Sequence, residues 1–203
     1  MAKLPPRILI TGTPGVGKTT LVRKVVENLS VRLGGFYTEE IREQGKRVGF
    51  RLRTLDGQEG ILAHVKSKSR FRVGKYGVEV RTFEEIAIPA LDRVLSVATG
   101  GGQSSPPCYC PNGRLWRRGE QKGGHLVVMD ELGRMELFSQ KFQQKVMEVF
   151  DSSVPILAVI QDRRNPFLDA IRGRKDVVMF RVTEENRDGL VREIIGKLKE
   201  HVK

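Results

Sequence analysis

Cysteine is nearly absent: Cys108 and Cys110 are the only two in 203 residues, one residue apart. That is too few for a disulfide framework and short of the four ligands of a structural zinc site. Aromatic residues make up 6% of the chain, with a single tryptophan. No apolar run approaches the twenty or so residues needed to span a bilayer, and Met1 to Arg7 lacks the apolar centre of a secretion signal. The expectation is a cytoplasmic protein with no membrane segment. Negative charge is the remaining shortage, with 24 acidic residues against 36 basic ones and a net charge of +12 at pH 7. A positive field of this kind attracts nucleotides, nucleic acid and acidic surfaces alike, so charge alone does not select a partner.

What is present is more specific. Gly12-Thr13-Pro14-Gly15-Val16-Gly17-Lys18-Thr19 fits the pattern G-x-x-x-x-G-K-[ST], between the apolar run Ile8-Leu9-Ile10 and the helix-forming run that starts Thr20-Leu21-Val22. Glycines let the backbone curl so that successive N–H groups point at phosphate oxygens, and Lys18 adds a cation for the β and γ positions. Thr19 offers a hydroxyl to Mg²⁺, and the helix beginning here directs its positive end at the same anion. Leu21, Val25, Val26 and Leu29 share one face of that helix, which supplies the strand–loop–helix context the motif requires.

Along the chain, a strand at about 7–11 and a helix at about 18–30 precede a strand in Gly35-Phe36-Tyr37-Thr38. The runs 48–54 and 61–65, joined through Asp56-Gly57, predict an antiparallel hairpin that extends the sheet. Lys66, Lys68, Arg70 and Arg72 alternate at period two and would share one face of an extended edge, as a solvated stripe or a nucleic-acid contact. Val78-Glu79-Val80 reads as a short strand, and Thr82-Phe83-Glu84-Glu85 as the capped start of a helix. Residues 99–124 hold three consecutive glycines, both cysteines, Trp116 and the Arg114, Arg117 and Arg118 cluster, and read as a long flexible surface insertion. Beyond it, strands at 126–129, 154–160 and 177–180 alternate with helices at about 138–150 and 166–172 and with a final amphipathic helix whose apolar face is Leu190, Val191, Ile194, Ile195 and Leu198. Such alternation predicts an α/β three-layer sandwich around a mainly parallel sheet, in one domain spanning 1–203.

Asp130 and Glu131 end the apolar strand Leu126-Val127-Val128-Met129. In a parallel sheet that end faces the crevice used by the phosphate loop, so Asp130 is expected to hold Mg²⁺ opposite Thr19, with Glu131 orienting and deprotonating water. A carboxylate beside the metal ligand favours hydrolysis over transfer to a second substrate. Charge developing on the γ-phosphoryl group calls for a further cation, and Arg134 and Arg163 are best placed among several arginines.

The chain resembles the cancer-related nucleoside-triphosphatase family, small P-loop enzymes of archaea, bacteria and animals. The resemblance rests on the phosphate loop, Gly35-Phe36-Tyr37-Thr38-Glu39-Glu40 with Arg42, Arg47-Val48-Gly49-Phe50 and Val73-Gly74-Lys75-Tyr76. It continues through Asp130-Glu131-Leu132-Gly133-Arg134-Met135-Glu136-Leu137, Arg174-Lys175-Asp176-Val177 and Val182-Thr183-Glu184-Glu185-Asn186-Arg187. It implies a P-loop fold and slow, Mg²⁺-dependent hydrolysis of ATP, GTP and other nucleoside triphosphates with loose base preference. It also implies nucleotide contact along Gly12 to Thr19 and along Leu126, Val127, Val128, Met129, Asp130, Glu131, Leu132 and Gly133. The family usually has lysine where this chain has Arg134, and the insertion at 99–124 is longer than the family pattern. Asn186 and Arg187, after the last strand, are candidates for contact with the base; Asn186 also suits a helix start. The chain is taken as a monomer. Two other functions stay open at this point: a P-loop kinase acting on a nucleotide or a nucleic-acid end, and a nucleotide-gated nucleic-acid-binding module.

Overall fold

The computed structural model describes residues 5–98 and 124–201. Residues 99–123, with both cysteines and the Arg114 to Arg118 cluster of the expected insertion, lie outside the described residues. Among the described residues, nine strands form one sheet: β1 (Arg7–Thr11), β2 (Arg32–Glu43), β3 (Lys46–Thr54), β4 (Glu59–His64), β5 (Arg72–Val73), β6 (Tyr76–Val78), β7 (His125–Leu132), β8 (Ile156–Ile160) and β9 (Val177–Arg181). Their order is β5-β6-β4-β3-β2-β7-β8-β1-β9. The five from β2 to β9 run parallel, and β3 to β6 add an antiparallel extension at one edge.

Alternation along each strand sends side chains to two separate cores. Ile8 and Ile10 of β1, with Leu126 and Val128 of β7, meet α1 (Lys18–Glu27) and α6 (Arg187–Lys199) through Leu21, Val25, Leu190 and Ile194. Leu9, Val127 and Met129 face the opposite layer, which contains α3 (Ile88–Ala98), α4 (Gln140–Asp151) and α5 (Pro166–Arg172). Phe36 and Tyr37, neighbours on β2, divide between the two cores and both are buried. Phe142 of α4 packs at 5.6 Å from Phe36 and 5.0 Å from Phe83, ring centre to ring centre, geometry worth about 0.5–1.5 kcal/mol per pair beyond area burial. These helices on both faces make the expected three-layer architecture.

Several boundaries differ from the sequence reading for local reasons. β2 is twelve residues long and turns into β3 at Gln44-Gly45, where φ is 47° and 77°, the doubly positive conformation of a tight hairpin. The basic stripe is not a strand: only Arg72 reaches one. Ser67 Oγ donates to the Glu79 carboxylate at 2.5 Å and Ser69 Oγ donates to the Val78 carbonyl at 2.6 Å. These side-chain bonds give the backbone an alternative to a ladder. The strand expected at 78–80 is Tyr76–Val78, because helical backbone already starts at Val80 in the short turn α2 (Val80–Thr82). Thr82 therefore caps nothing and donates instead to the Ile61 carbonyl at 2.5 Å, and a π-turn at Phe83–Ala87 leads into α3. In α4 the cap is Ser139, whose hydroxyl accepts from Phe142 N at 3.1 Å.

One buried cation ties the lower edge of the parallel sheet together. Arg7 is 3% exposed. Its guanidinium donates to the carbonyls of Phe150 and Ser152, each at 2.6 Å, and of Pro5 at 3.0 Å, and lies 3.3 Å from the Asp176 carboxylate. Burial lowers its pKa, and the charge of Asp176 opposes that effect. No helix among the described residues is long and apolar enough to cross a membrane.

Candidate active site

The phosphate loop leaves β1 at Thr11 and feeds α1 at Lys18. Gly15 and Gly17 have φ of 82° and 102°, a left-handed backbone that a side chain at either position would strain. Val16 is the loop's anchor, buried in the α1–α6 core, while its neighbours Gly15 and Pro14 stay exposed. Lys18 Nζ spans the loop and donates to the carbonyls of Gly12 and Thr13, both at 3.0 Å. The loop thus presents its backbone and one ammonium to the cavity above it.

Facing it, β7 carries Asp130 and Glu131. Between β1 and β7 lies β8, and the first residue past β8, Gln161, fills the gap. Gln161 Nε2 donates to Glu131 Oε1 at 2.5 Å, and its backbone N–H donates to the Leu132 carbonyl at 3.0 Å. Gly133 makes room for this: a Cβ there would stand 2.4 Å from Gln161 Nε2. Asp130 is 2% exposed, and burial pushes its carboxyl up to about 7, opposed by the Thr19 hydroxyl and reinforced by the charge of Glu131. Its Oδ2 has no hydrogen-bond partner. A buried carboxylate near the Thr19 hydroxyl, with one oxygen left unpartnered, is a hard oxygen donor set of the kind a divalent cation takes.

A cavity of about 740 Å³ joins the two halves, with the loop and Thr19 on one side and Glu131, Arg134, Gln161 and Arg163 on the other. Its third wall comes from Thr38, Glu39, Glu40, Arg47 and Phe50 of β2 and β3. Here Glu39 pairs with Arg23 at 3.2 Å and Arg53 at 3.6 Å, and Glu40 with Arg42 at 2.5 Å and Arg47 at 2.6 Å. Both carboxylates therefore border the crevice while already engaged in ion pairs.

Not every expected contact residue reaches the cavity. Leu126, Val127, Val128, Met129 and Leu132 are buried within the sheet, so they hold up Asp130 and Glu131 without lining the crevice. Val16 likewise points into the core. Asn186 organises the turn before α6, accepting from Thr183 N at 2.8 Å and donating to the Arg181 carbonyl at 2.9 Å. Arg187 is exposed beside the loop, its side chain 3.8 Å from where a Cβ on Gly17 would stand. Arg134 and Arg163 line the cavity, and neither guanidinium has a carboxylate within 4 Å among the described residues.

Two residues escaped the sequence reading. Gln161 had a usable signal, since it is the polar residue ending an apolar parallel strand, the same signal that singles out Asp130. Glu136 had none: it sits in an exposed-looking stretch, yet it is 5% exposed and accepts from Gly133 N at 2.8 Å. Burial pushes its carboxyl up to about 8, with the backbone N–H groups opposing and the charge of Glu131 adding to the rise.

The family model described as NTPase matches residues 7–99 and 115–195, most of the chain. The chain belongs to this NTPase family. Among relatives, it is 43% identical over 193 residues to the nucleoside-triphosphatase THEP1 of a Thermotoga species (strain RQ2), covering 95% of each chain. It is 37% identical to the human cancer-related nucleoside-triphosphatase, covering 93% of this chain and 94% of that one. Two solved NTPases share the fold. The crystal structure of THEP1 from Aquifex aeolicus aligns with a TM-score of 0.77 at 39% identity over 95% of this chain and 99% of that one. The solution structure of the human cancer-related enzyme aligns at 0.73 and 37% over 98% and 100%. The P-loop architecture and the family expected from the sequence both hold.

Proposed function

We propose that the chain hydrolyses the β–γ phosphoanhydride of nucleoside triphosphates such as ATP and GTP, yielding the diphosphate and phosphate. The observation that carries this reading is the facing of an intact phosphate loop and a glutamate, Glu131, held by Gln161 across one cavity. The names of the relatives, nucleoside-triphosphatases at 37% to 43% identity, support it.

In this mechanism the loop N–H groups and Lys18 receive the β and γ phosphates, with Lys18 exchanging its two loop carbonyls for phosphate oxygens. Gln161 occupies one oxygen of Glu131, which leaves the other to take a proton from a water in line with the γ-phosphorus. Water attacks, the bond to the β-phosphate bridging oxygen breaks, and the diphosphate leaves. Arg134 and Arg163 stand where charge on the γ-phosphoryl group could be neutralised. Arg187, beside Gly17, is proposed to border the nucleoside.

Mg²⁺ fits the residues present, through the Thr19 hydroxyl and the unpartnered oxygen of Asp130. Bound there, it would supply positive charge to offset that of the triphosphate. Phosphate release from a panel of triphosphates tests the whole reading. Wild type should turn over with Mg²⁺, Glu131→Gln should lose roughly 10²–10⁴-fold in rate, and its affinity for a fluorescent triphosphate should stay within about twofold. Equal phosphate release by wild type and Glu131→Gln would sink the base assignment.

A further inference from the structure

A second groove of about 360 Å³ shares Arg134 and Arg163 with the nucleotide cavity and is also lined by Arg72 and Arg164. No acidic residue lines it. Elsewhere on the surface several arginines are matched to carboxylates: Arg23, Arg42, Arg47, Arg51, Arg53 and Arg181 each lie within 3.6 Å of one. In the groove, Arg72 donates, among the described residues, only to the main-chain carbonyls of Ser67 at 3.4 Å and Lys75 at 2.7 Å. Arg164 is 95% exposed and only loosely paired, 3.9 Å from Asp169. Arg134 and Arg163 have no carboxylate partner among the described residues. Four cations on one rim with only the loose Arg164–Asp169 pair to offset them repel one another, and a polyanion would relieve that repulsion.

The floor has different chemistry. Val73, Leu137, Phe138 and Leu168 line it, and Phe138 is continued by Phe71, ring centres 5.2 Å apart. Arg70 lies over the outer face of Phe71 at 4.9 Å. A rim of arginines above an apolar, partly aromatic floor suits a strand whose phosphates meet cations while its unpaired bases settle on rings. A duplex has no free base faces to offer such a floor.

We infer that the groove bounded by Arg72, Arg134, Arg163 and Arg164 over Phe138 binds the backbone and bases of single-stranded nucleic acid. This site does not depend on the hydrolytic reading, although two of its arginines also border the nucleotide cavity. A strand engaged there would contact the same two guanidinium groups that line the nucleotide cavity.

The test is fluorescence anisotropy of a labelled twelve-residue oligouridylate against NaCl concentration, without nucleotide. Variants Arg72→Gln and Arg164→Gln alter the groove but neither the loop nor the carboxylates; Arg51→Gln removes equal charge from a paired position elsewhere. Wild type should bind at low salt with a log–log slope of about −2 to −3, from three to four phosphate contacts at ~0.7 each. Each groove variant should lose several-fold in affinity and about 0.7 in slope, with Arg51→Gln unchanged. Three results would overturn the inference: no binding at about 25 mM NaCl, where a Debye length of roughly 20 Å leaves charge attraction largely unscreened; equal losses in Arg51→Gln; or competition by polyglutamate or by blunt duplex as strong as by the single strand.

Discussion

Gln161 donates to Glu131 across the end of the sheet, at 2.5 Å, and Gly133 leaves the space in which it does so. Gln161 is thus a positioning residue, fixing one oxygen of the proposed base and leaving the other free. Gln161→Ala should lower kcat by roughly 10- to 10²-fold through misplacement of Glu131, with KM nearly unchanged. Gly133→Ala should do much the same by pushing Gln161 aside. Steady-state kinetics separate this from a structural effect, since a change confined to KM would remove the positioning role.

Lys18 should matter for affinity more than for folding. Its ammonium donates to two carbonyls of its own loop, bonds that water can replace at this half-exposed position. Charge-assisted hydrogen bonds to phosphate contribute about 1.5–3 kcal/mol, so Lys18→Ala is expected to weaken triphosphate binding by roughly 10- to 10²-fold. Thermal melts of the two proteins should coincide within about 2 °C, on the scale expected for less than 1 kcal/mol in a chain of this size.

Glu136 and Asp130 predict the pH dependence of stability in protein freed of divalent ions. Their folded carboxyls lie at about 8 and about 7, above ordinary values of 4.5 and 3.8. In that window the folded chain holds protons that the unfolded chain has released, so stability is greatest near the ordinary values and falls as pH rises toward 8. The slope is bounded at roughly 1.4 kcal/mol per pH unit for each group. Glu136→Gln keeps an acceptor for Gly133 N and removes the charge, so urea midpoints should fall less steeply between pH 5 and 8 than in wild type. An unchanged slope would show that burial does not hold Glu136 protonated.

Arg7 is the costliest single substitution we expect outside the site. Arg7→Leu would leave the Phe150 and Ser152 carbonyls and the Asp176 carboxylate without their buried donor, at a cost of about 3–5 kcal/mol. Arg7→Lys should recover only part, because one ammonium cannot reproduce a planar fork reaching both carbonyls. Urea denaturation followed by circular dichroism reads both values.

Much of this was legible in sequence where one physical demand dominates. A phosphate loop needs glycines and a lysine at fixed spacing, and a strand covered on both faces needs an unbroken apolar run, so β1, the loop, α1 and β7 are readable directly. The antiparallel edge is less so. The period-two spacing from Lys66 to Arg72 suggested a strand, but Ser67 and Ser69 bind Glu79 and the Val78 carbonyl instead, and only the folded chain brings those partners near. Glu136 is invisible for a related reason: its burial depends on β7, β8 and the following turn meeting around it. Of the segment Leu126 to Gly133 that the family resemblance implies, Glu131 alone lines the cavity.

The place of β8 in the sheet has one further consequence. The phosphate loop and the Asp130-Glu131 pair sit on strands that never touch, so the gap between them is two interstrand spacings, about 9–10 Å. That width is a property of backbone hydrogen bonding and not of any side chain. Substitutions can change what the two halves of the site do, but β8 acts as a ruler that keeps them a fixed distance apart.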